Sequence, residues 1–161
     1  MLVDNILSTV RTGIASSVAR ETDSGDSPAI SAFKAAGYSG DLDSGAMEGA
    51  YDVTVLGGGD RDITGVPGRV DAFLRFRVSV RFVNESRSPG EALQYFAADM
   101  RRIADRVPQL VMDAAYGVTG AGVGACTLDG EWTCDVDSQE PSIYTGIANF
   151  LVEYHDVLVT T

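Results

Sequence analysis

Arg75, Arg77 and Arg81 occupy alternating positions in the most regular strand pattern of the chain. In an extended strand, alternate side chains point to the same side, so these guanidinium groups form one row. Guanidinium groups bind carboxylates through paired hydrogen bonds, which makes the row a candidate contact surface for an acidic partner. The alternative is a solvated sheet face, since antiparallel sheets commonly expose one side to water.

The last third of the chain supplies carboxylates that suit this row. Residues 107–161 contain eight acids and no Lys or Arg. A tryptophan among them is either an anchor of the same contact or a core residue. We predict that the acids of one copy of the chain meet the arginines of the next, and that glutamate at the three arginine positions abolishes assembly. The predicted contact residues are Arg75, Arg77, Arg81, Asp129, Glu131, Trp132, Asp135 and Asp137.

Two glycine patterns could indicate nucleotide or nucleophile chemistry. Residues 120–125 fit the loose dinucleotide pattern G-x-G-x-x-A, but that site needs a strand before it and a helix after it, whereas the reverse order is expected here. Residues 37–40 approach a nucleophile elbow, without the strand and helix that strain the turn. A Ser-His-Asp triad would need His155, the sole histidine, which we expect to be a solvated residue at a sheet edge.

The sequence offers no complete set of metal ligands. Asp41, Asp43 and Ser44 resemble the start of a calcium loop, but the following glycine comes one position early and no glutamate closes the loop. Cys126 and Cys134 with one histidine do not make an ordinary zinc site. We therefore predict no catalytic residue, no cofactor and no metal, and a chain that is not an enzyme.

Composition bounds the class of protein. With 161 residues, 45% of them hydrophobic, the chain can form one domain over residues 1–161 with its own core. A net charge of −11 disfavours binding to nucleic acid and favours a protein partner. No apolar stretch is long enough to span a bilayer, and Asp4 stands where a secretory signal carries positive charge, which predicts a cytoplasmic origin and no membrane contact.

The first half of the chain predicts one helix and two strands. Apolar residues at helical spacing indicate an amphipathic helix over residues 4–20. A polar, acidic loop follows over residues 21–49, with a short apolar interruption at 29–36 that could be a helical turn. Residues 51–55 alternate as a strand that stops at the glycines 57–59, and residues 74–82 form the strand with the arginine row.

The second half predicts a helix and three strands. Residues 89–107 carry an apolar stripe that includes Leu93, and Pro108 is expected to end or kink that helix before one or two further turns. After a glycine-rich link, strands at 125–128 and 132–136 are expected to form a hairpin, which would place Cys126 and Cys134 opposite each other. A disulfide is geometrically conceivable there, but a reducing compartment favours free thiols. A long strand follows Pro141. The fold class is α+β, with a mostly antiparallel sheet of about five strands packed against two main helices.

This order of elements resembles the tail-terminator (tail-completion) proteins of long-tailed bacteriophages. The resemblance rests on an N-terminal helix, a polar loop, a strand, the strand 73–84, the helix 89–107, a hairpin and the ending 143–161. It covers nearly the whole chain, although the acidic segment 21–49 is longer than that family would lead one to expect.

The resemblance implies a ring of six identical subunits that caps the tail tube in the virion and joins it to the neck proteins, with DNA passing through without specific binding. The family has no catalytic residues to carry over. Within the same class the alternatives are a head-closure protein, another neck subunit or a tail-tube subunit. From another class, the alternative is a small enzyme or ligand-binding domain that uses the loops 57–68 and 117–124.

Overall fold

The computed structural model describes residues 2–20, 33–35, 49–63, 69–84, 87–117 and 119–157. In these ranges the chain forms two helices and six strands. In chain order they are α1 (Leu2–Ser17), β1 (Lys34–Ala35), β2 (Ala50–Ile63), β3 (Arg69–Val83), α2 (Pro89–Asp113), β4 (Gly122–Leu128), β5 (Thr133–Val136) and β6 (Ile143–Val157).

The strands form one sheet in the order β1-β2-β3-β6-β4, with β5 also paired to β6. All pairings are antiparallel except that of the two-residue β1, which runs parallel to the start of β2. β4 and β5 lie end to end along the same side of β6. The predicted α+β class, with a mostly antiparallel sheet against two helices, is confirmed.

α1 forms because its apolar residues recur every three to four positions and give one continuous buried side. Ile6, Val10 and Ile14 are fully buried. Tyr51 of β2 ties the helix to the sheet, since its hydroxyl hydrogen-bonds the Arg11 carbonyl and accepts from the Ala15 N–H at 3.1 Å. The predicted helix is confirmed, with its end at Ser17.

α2 begins at a Ser88 cap, whose hydroxyl accepts from the Glu91 N–H, with Pro89 in the first turn. The helix continues through Pro108 to Asp113, so of the expected end or kink at Pro108 the end does not occur, and the further turns are confirmed. Val107 and Val111 are both fully buried, and their packing offsets the backbone bond that proline removes. Leu93 was expected in the apolar stripe but is 42% exposed, and Ala92 is buried instead.

Both helices cover the same face of the sheet. On β3, Phe76, Val78, Val80 and Phe82 are fully buried against them, as the alternating pattern predicts. Phe82 stacks on Phe96 of α2 with ring centroids 4.6 Å apart. The arginine row therefore lies on the face that the helices leave uncovered.

β2 and β1 differ from expectation. β2 does not stop at the glycines 57–59 but continues to Ile63, because Gly57, Gly58 and Gly59 each pair with β3, past an irregularity between Val55 and Gly57. The short apolar interruption was expected to form a helical turn, yet its residues 34–35 are strand β1. Phe33, just before β1, is buried, and the other residues of the interruption lie outside the described part of the chain.

β4 and β5 do not form the expected hairpin. Both pair with β6, so Cys126 lies opposite Val152 and Cys134 opposite Gly146. Six residues of extended strand separate these partners, which places the cysteines roughly 20 Å apart. A disulfide needs Cα atoms within about 7 Å, so the expected opposition of the two cysteines is wrong, and both thiols are free.

Candidate functional site

The uncovered face of the sheet carries two columns of opposite charge, and we call it the charged face. Arg75, Arg77 and Arg81 of β3 form the basic column. The acidic column stands on the other side of β6, about 10 Å away across two strand spacings. Its members are Asp129, Asp135 and Asp137.

The register of β6 places these charges on one face. Arg77 pairs with Asn149, whose carbonyl accepts from the Asp129 N–H at 2.8 Å. Arg81 pairs with Thr145, which pairs in turn with Asp135. Directly paired residues of a sheet share a face, so each of these levels carries a base and an acid with one β6 residue between them.

Two arginines already interact within the chain. Arg75 Nε lies 3.5 Å from Asp129 Oδ2, with the two side chains 52% and 42% exposed. Arg77 Nε donates a 2.9 Å hydrogen bond to Asn149 Oδ1. An ion pair this exposed contributes at most about 1 kcal/mol to stability.

Asp137 lies at the end of the acidic column. The backbone N–H groups of Gln139 and Glu140 donate to its carboxylate and lower the pKa of Asp137, and the nearby charge of Arg81 lowers it further. Each effect stabilises the ionised form. Arg81 is therefore electrostatically coupled to an acid of its own chain.

Six of the eight predicted contact residues are thus brought together, but within one subunit. The acids that were expected to reach the arginine row from a neighbouring copy lie beside that row on the same face. Two columns that point the same way do not by themselves provide the two differently placed surfaces that a ring needs.

Glu131 and Trp132 lie outside the acidic column. Residues 130–132 stand opposite the single residue Ala148, and Gly130 makes the turn with a φ of +85°. Glu131 is exposed at this point, while Trp132 is half-buried and packs against the core. The core interpretation of the tryptophan therefore agrees with its position.

An apolar strip runs between the two columns. Ile143, Ile147 and Leu151 of β6 project onto the charged face and are half-buried, with Thr145 and Asn149 between them. The face therefore has an apolar centre and charged margins, which is the distribution found in protein interfaces. This arrangement can form a contact surface.

No protein-family model matches this chain, and no curated protein matches it. In the part of the chain that the structure describes, no three His, Cys, Asp or Glu side chains are grouped as metal ligands. No described helix is both long and apolar enough to cross a membrane.

Of the residues weighed for catalysis, the structure describes His155 and residues 120–125. His155 lies on β6, between β3 and β4, and is half-buried over Gly122, so the expected position at a sheet edge is wrong. Residues 120–125 follow a helix and lead into β4, as expected. The elbow-like residues 37–40 and the calcium-like residues 41–45 lie outside the described ranges.

The loops considered for ligand binding are partly strand. Residues 57–63 belong to β2 and residues 122–124 to β4, while residues 64–68 and 118 are not described. A cavity of about 270 Å³ lies elsewhere, between the end of α1 and α2. Its two arginines stabilise that helix end, since Arg102 donates to the Ala19 carbonyl and Arg106 to the Ser17 hydroxyl.

Sequence reasoning missed the buried charges Arg20 and Asp99. Arg20 follows α1, and its guanidinium lies 5.3 Å from the ring centroid of Phe33 and 5.4 Å from that of Phe82. Asp99 stands on the buried side of α2 beside Phe96 and Met100. The available signal was the acid's position within the apolar stripe, because a buried carboxylate requires a cationic or hydrogen-bonding partner.

Proposed function

We propose that this chain is a structural virion subunit that assembles into a ring at the head–tail junction of a long-tailed bacteriophage, caps the tail tube and lets DNA pass. The resemblance in element order supports this proposal. The observation that carries it is the geometry of the two lateral sheet edges, which lie on opposite sides of the subunit and run in opposite directions.

Part of the backbone at both edges is left unpaired by the described strands. At Val53 of β2 it is already bonded, since the N–H donates to Asp52 Oδ1 at 2.8 Å and the carbonyl accepts from Arg11 at 3.0 Å. Beyond Tyr51, no described strand pairs with the outer side of β2, and none pairs with the outer side of β4 or β5. Successive neighbours from β2 to β5 are antiparallel, so β2 runs opposite to β4 and β5. The edge of one copy would therefore continue the antiparallel sheet of the next.

Apolar side chains are exposed at both edges. Val55 and Leu56 of β2 are 52% and 46% exposed, and Val136 of β5 is 50% exposed. Unpaired edges with apolar side chains favour strand pairing between chains. A contact between two different edges is heterologous, and such contacts close into a ring when the rotation between subunits permits it.

The charge of the chain fits the passage of DNA. A net charge of −11 repels a duplex instead of retaining it, because tight binding requires phosphate neutralisation by cations. In this proposal the partners are other copies of the chain, the tail tube and the neck proteins.

Native mass spectrometry and negative-stain images, with and without purified tail tubes, test the proposal. The expected result is a ring, six subunits by the family resemblance, at tube ends. Val136→Lys places a charge at the β5 edge and should prevent ring formation. The matched control is Leu93→Lys, which changes a similarly exposed residue on α2.

A wild-type monomer that ignores tail tubes would contradict the proposal, as would a V136K variant that assembles normally. Location in an intact particle separates a tail terminator from a head-closure or tail-tube subunit. Rings only at the tube end support the terminator, whereas copies along the tube or on the head side support those alternatives.

A further inference from the structure

We propose that the charged face is a second interface, through which two copies of this chain pack face to face about a two-fold axis parallel to the strands. This contact uses the two columns and the apolar strip, not the sheet edges. It therefore goes beyond the ring proposal and does not depend on it.

The sheet register aligns the charges for such a contact. Arg77 and Asp129 share one level across β6, and Arg81 and Asp135 share another. On β3, β6 and β5 the level between them is uncharged and consists of Ser79, Ile147 and Thr133. Asp52 of β2 pairs with Ser79 at this level and is buried on the outer side of the basic column.

Charge selects one of the two possible two-fold orientations. Rotation about an axis parallel to the strands exchanges left and right, so the basic column of each copy faces the acidic column of the other. Arg77 then lies across from Asp129 of the second copy, and Arg81 across from Asp135. Rotation about the perpendicular in-plane axis would place arginine over arginine, which is repulsive.

The apolar strip lies on the favourable axis. In that orientation Ile147 and Leu151 meet the same residues of the second copy, and their half-buried side chains become the centre of the interface. Two sheets packed in this way keep their strands within about 30° of each other. The second copy would thus cover the face that neither helix covers.

The contacts within one chain do not oppose this packing. Arg77 donates to the neutral amide of Asn149, so its charge is not neutralised by that bond. The Arg75–Asp129 pair is exposed, and an exposed pair exchanges partners at a cost of about 1 kcal/mol or less. Arg81 is half-buried and interacts with Asp137 of its own chain, whereas Asp129 and Asp135 are exposed. The acidic column is therefore the more accessible of the two.

Two charge-reversal variants test the interface by molar mass in solution. R77E/R81E makes the two aligned positions of the basic column acidic, and D129K/D135K makes the two aligned positions of the acidic column basic. We expect the wild-type mass to be twice that of either variant, and an equimolar mixture of the two variants to recover the wild-type mass. Only a contact between chains restores association on mixing, because a contact within one chain remains repulsive in each variant.

The control is E91K/D105K, which makes the same charge change as the basic variant at two exposed positions of α2. It should keep the wild-type mass. Salt provides a measurement that needs no substitution, since 1 M salt screens the columns and should shift the wild type toward the half-mass species.

Equal masses for the wild type and both variants would overturn the inference, as would a mixture that stays dissociated or a wild-type mass that salt does not change. If a variant fails to fold, the mass of the wild-type protein over the salt series still tests the interface. Different results would contradict the ring proposal, namely a protein that does not bind tail tubes and a Val136→Lys variant that still forms rings.

Discussion

Arg20 and Asp99 form an ion pair inside the core, with Arg20 Nε 3.0 Å from Asp99 Oδ2 and side-chain exposures of 7% and 1%. The pair connects the end of α1 to the middle of α2. Removing one partner leaves the other charge buried without compensation.

Arg20→Met should therefore lower the free energy of unfolding by about 3–5 kcal/mol, measured by urea denaturation. Replacing both partners, as in R20M/D99L, should recover part of that loss because no charge remains buried. The control is Arg101→Met, which breaks an exposed pair with Asp105 on the same helix and should cost under about 0.5 kcal/mol. A loss below about 1 kcal/mol for R20M would contradict a buried pair.

Gly146 allows α2 to lie close to β6. A Cβ at this position would overlap Met100 Sδ and stand 3.0 Å from Phe82 Cε2. Gly146→Ala should destabilise the fold by about 1–3 kcal/mol. In G146A/M100A the added methyl group should cost less than in wild type, since the methionine side chain is gone.

Gly124→Ala is the matched control in β4. Its added methyl group would meet no atom closer than 3.6 Å, so stability should change little. If thermal unfolding shows equal losses of stability for G146A and G124A, the loss comes from replacing any strand glycine and not from the contact of Gly146 with α2.

Burial raises the pKa of both cysteine thiols to about 12, and the negative charges of Asp135 and Asp99 add to the effect at Cys134. Because the thiolate is the reactive form, alkylation of the native protein at pH 8 should be roughly two to three orders of magnitude slower than in denaturant. Intact mass should show two free thiols. Fast labelling of the native protein would contradict this environment.

The same thiols make the free energy of unfolding depend on pH in the alkaline range. The unfolded thiols lose their protons near their ordinary pKa of 9.0 and the folded ones near 12, so between these values the folded state binds more protons. The free energy of unfolding therefore falls as pH rises through this window. C126A/C134A should show a shallower decline in a pH series of denaturation curves. An unchanged slope would assign the decline to other groups.

Arg81 and Asp137 can be examined by NMR titration. Because backbone N–H donation from Gln139 and Glu140 is the largest cause of the low Asp137 pKa, Arg81→Gln should raise that pKa only in part. Stability from Asp137 is present above its ordinary pKa of 3.8 and is lost as pH falls through the folded value. No change in R81Q would show that Arg81 is too distant to interact, while Arg101→Gln is a control on another surface.

Local patterns in the sequence predicted both helices, the long last strand and the side of β3 opposite the arginine row, which is buried. These features follow from side-chain periods of two residues in strands and about 3.6 residues in helices, which can be read from a short stretch of sequence. The prediction that β2 stops at the glycines 57–59 was wrong, because pairing with β3 keeps these glycines in the strand despite their low strand propensity. Sequence reasoning also missed that Arg20 and Asp99, far apart in sequence, compensate each other.

The sequence by itself determined the α+β class, the arginine row and the excess of acid in the last third of the chain. Only the tertiary structure decided that β6 lies inside the sheet and that β4 and β5 both pair with the same side of β6. It also decided that the arginine row and the acidic column lie on one face of the sheet. Strand order depends on contacts between distant segments, which no local period encodes. Because β6 pairs with β3 on one side and with β4 and β5 on the other, it places Arg77 and Asp129 on the same level.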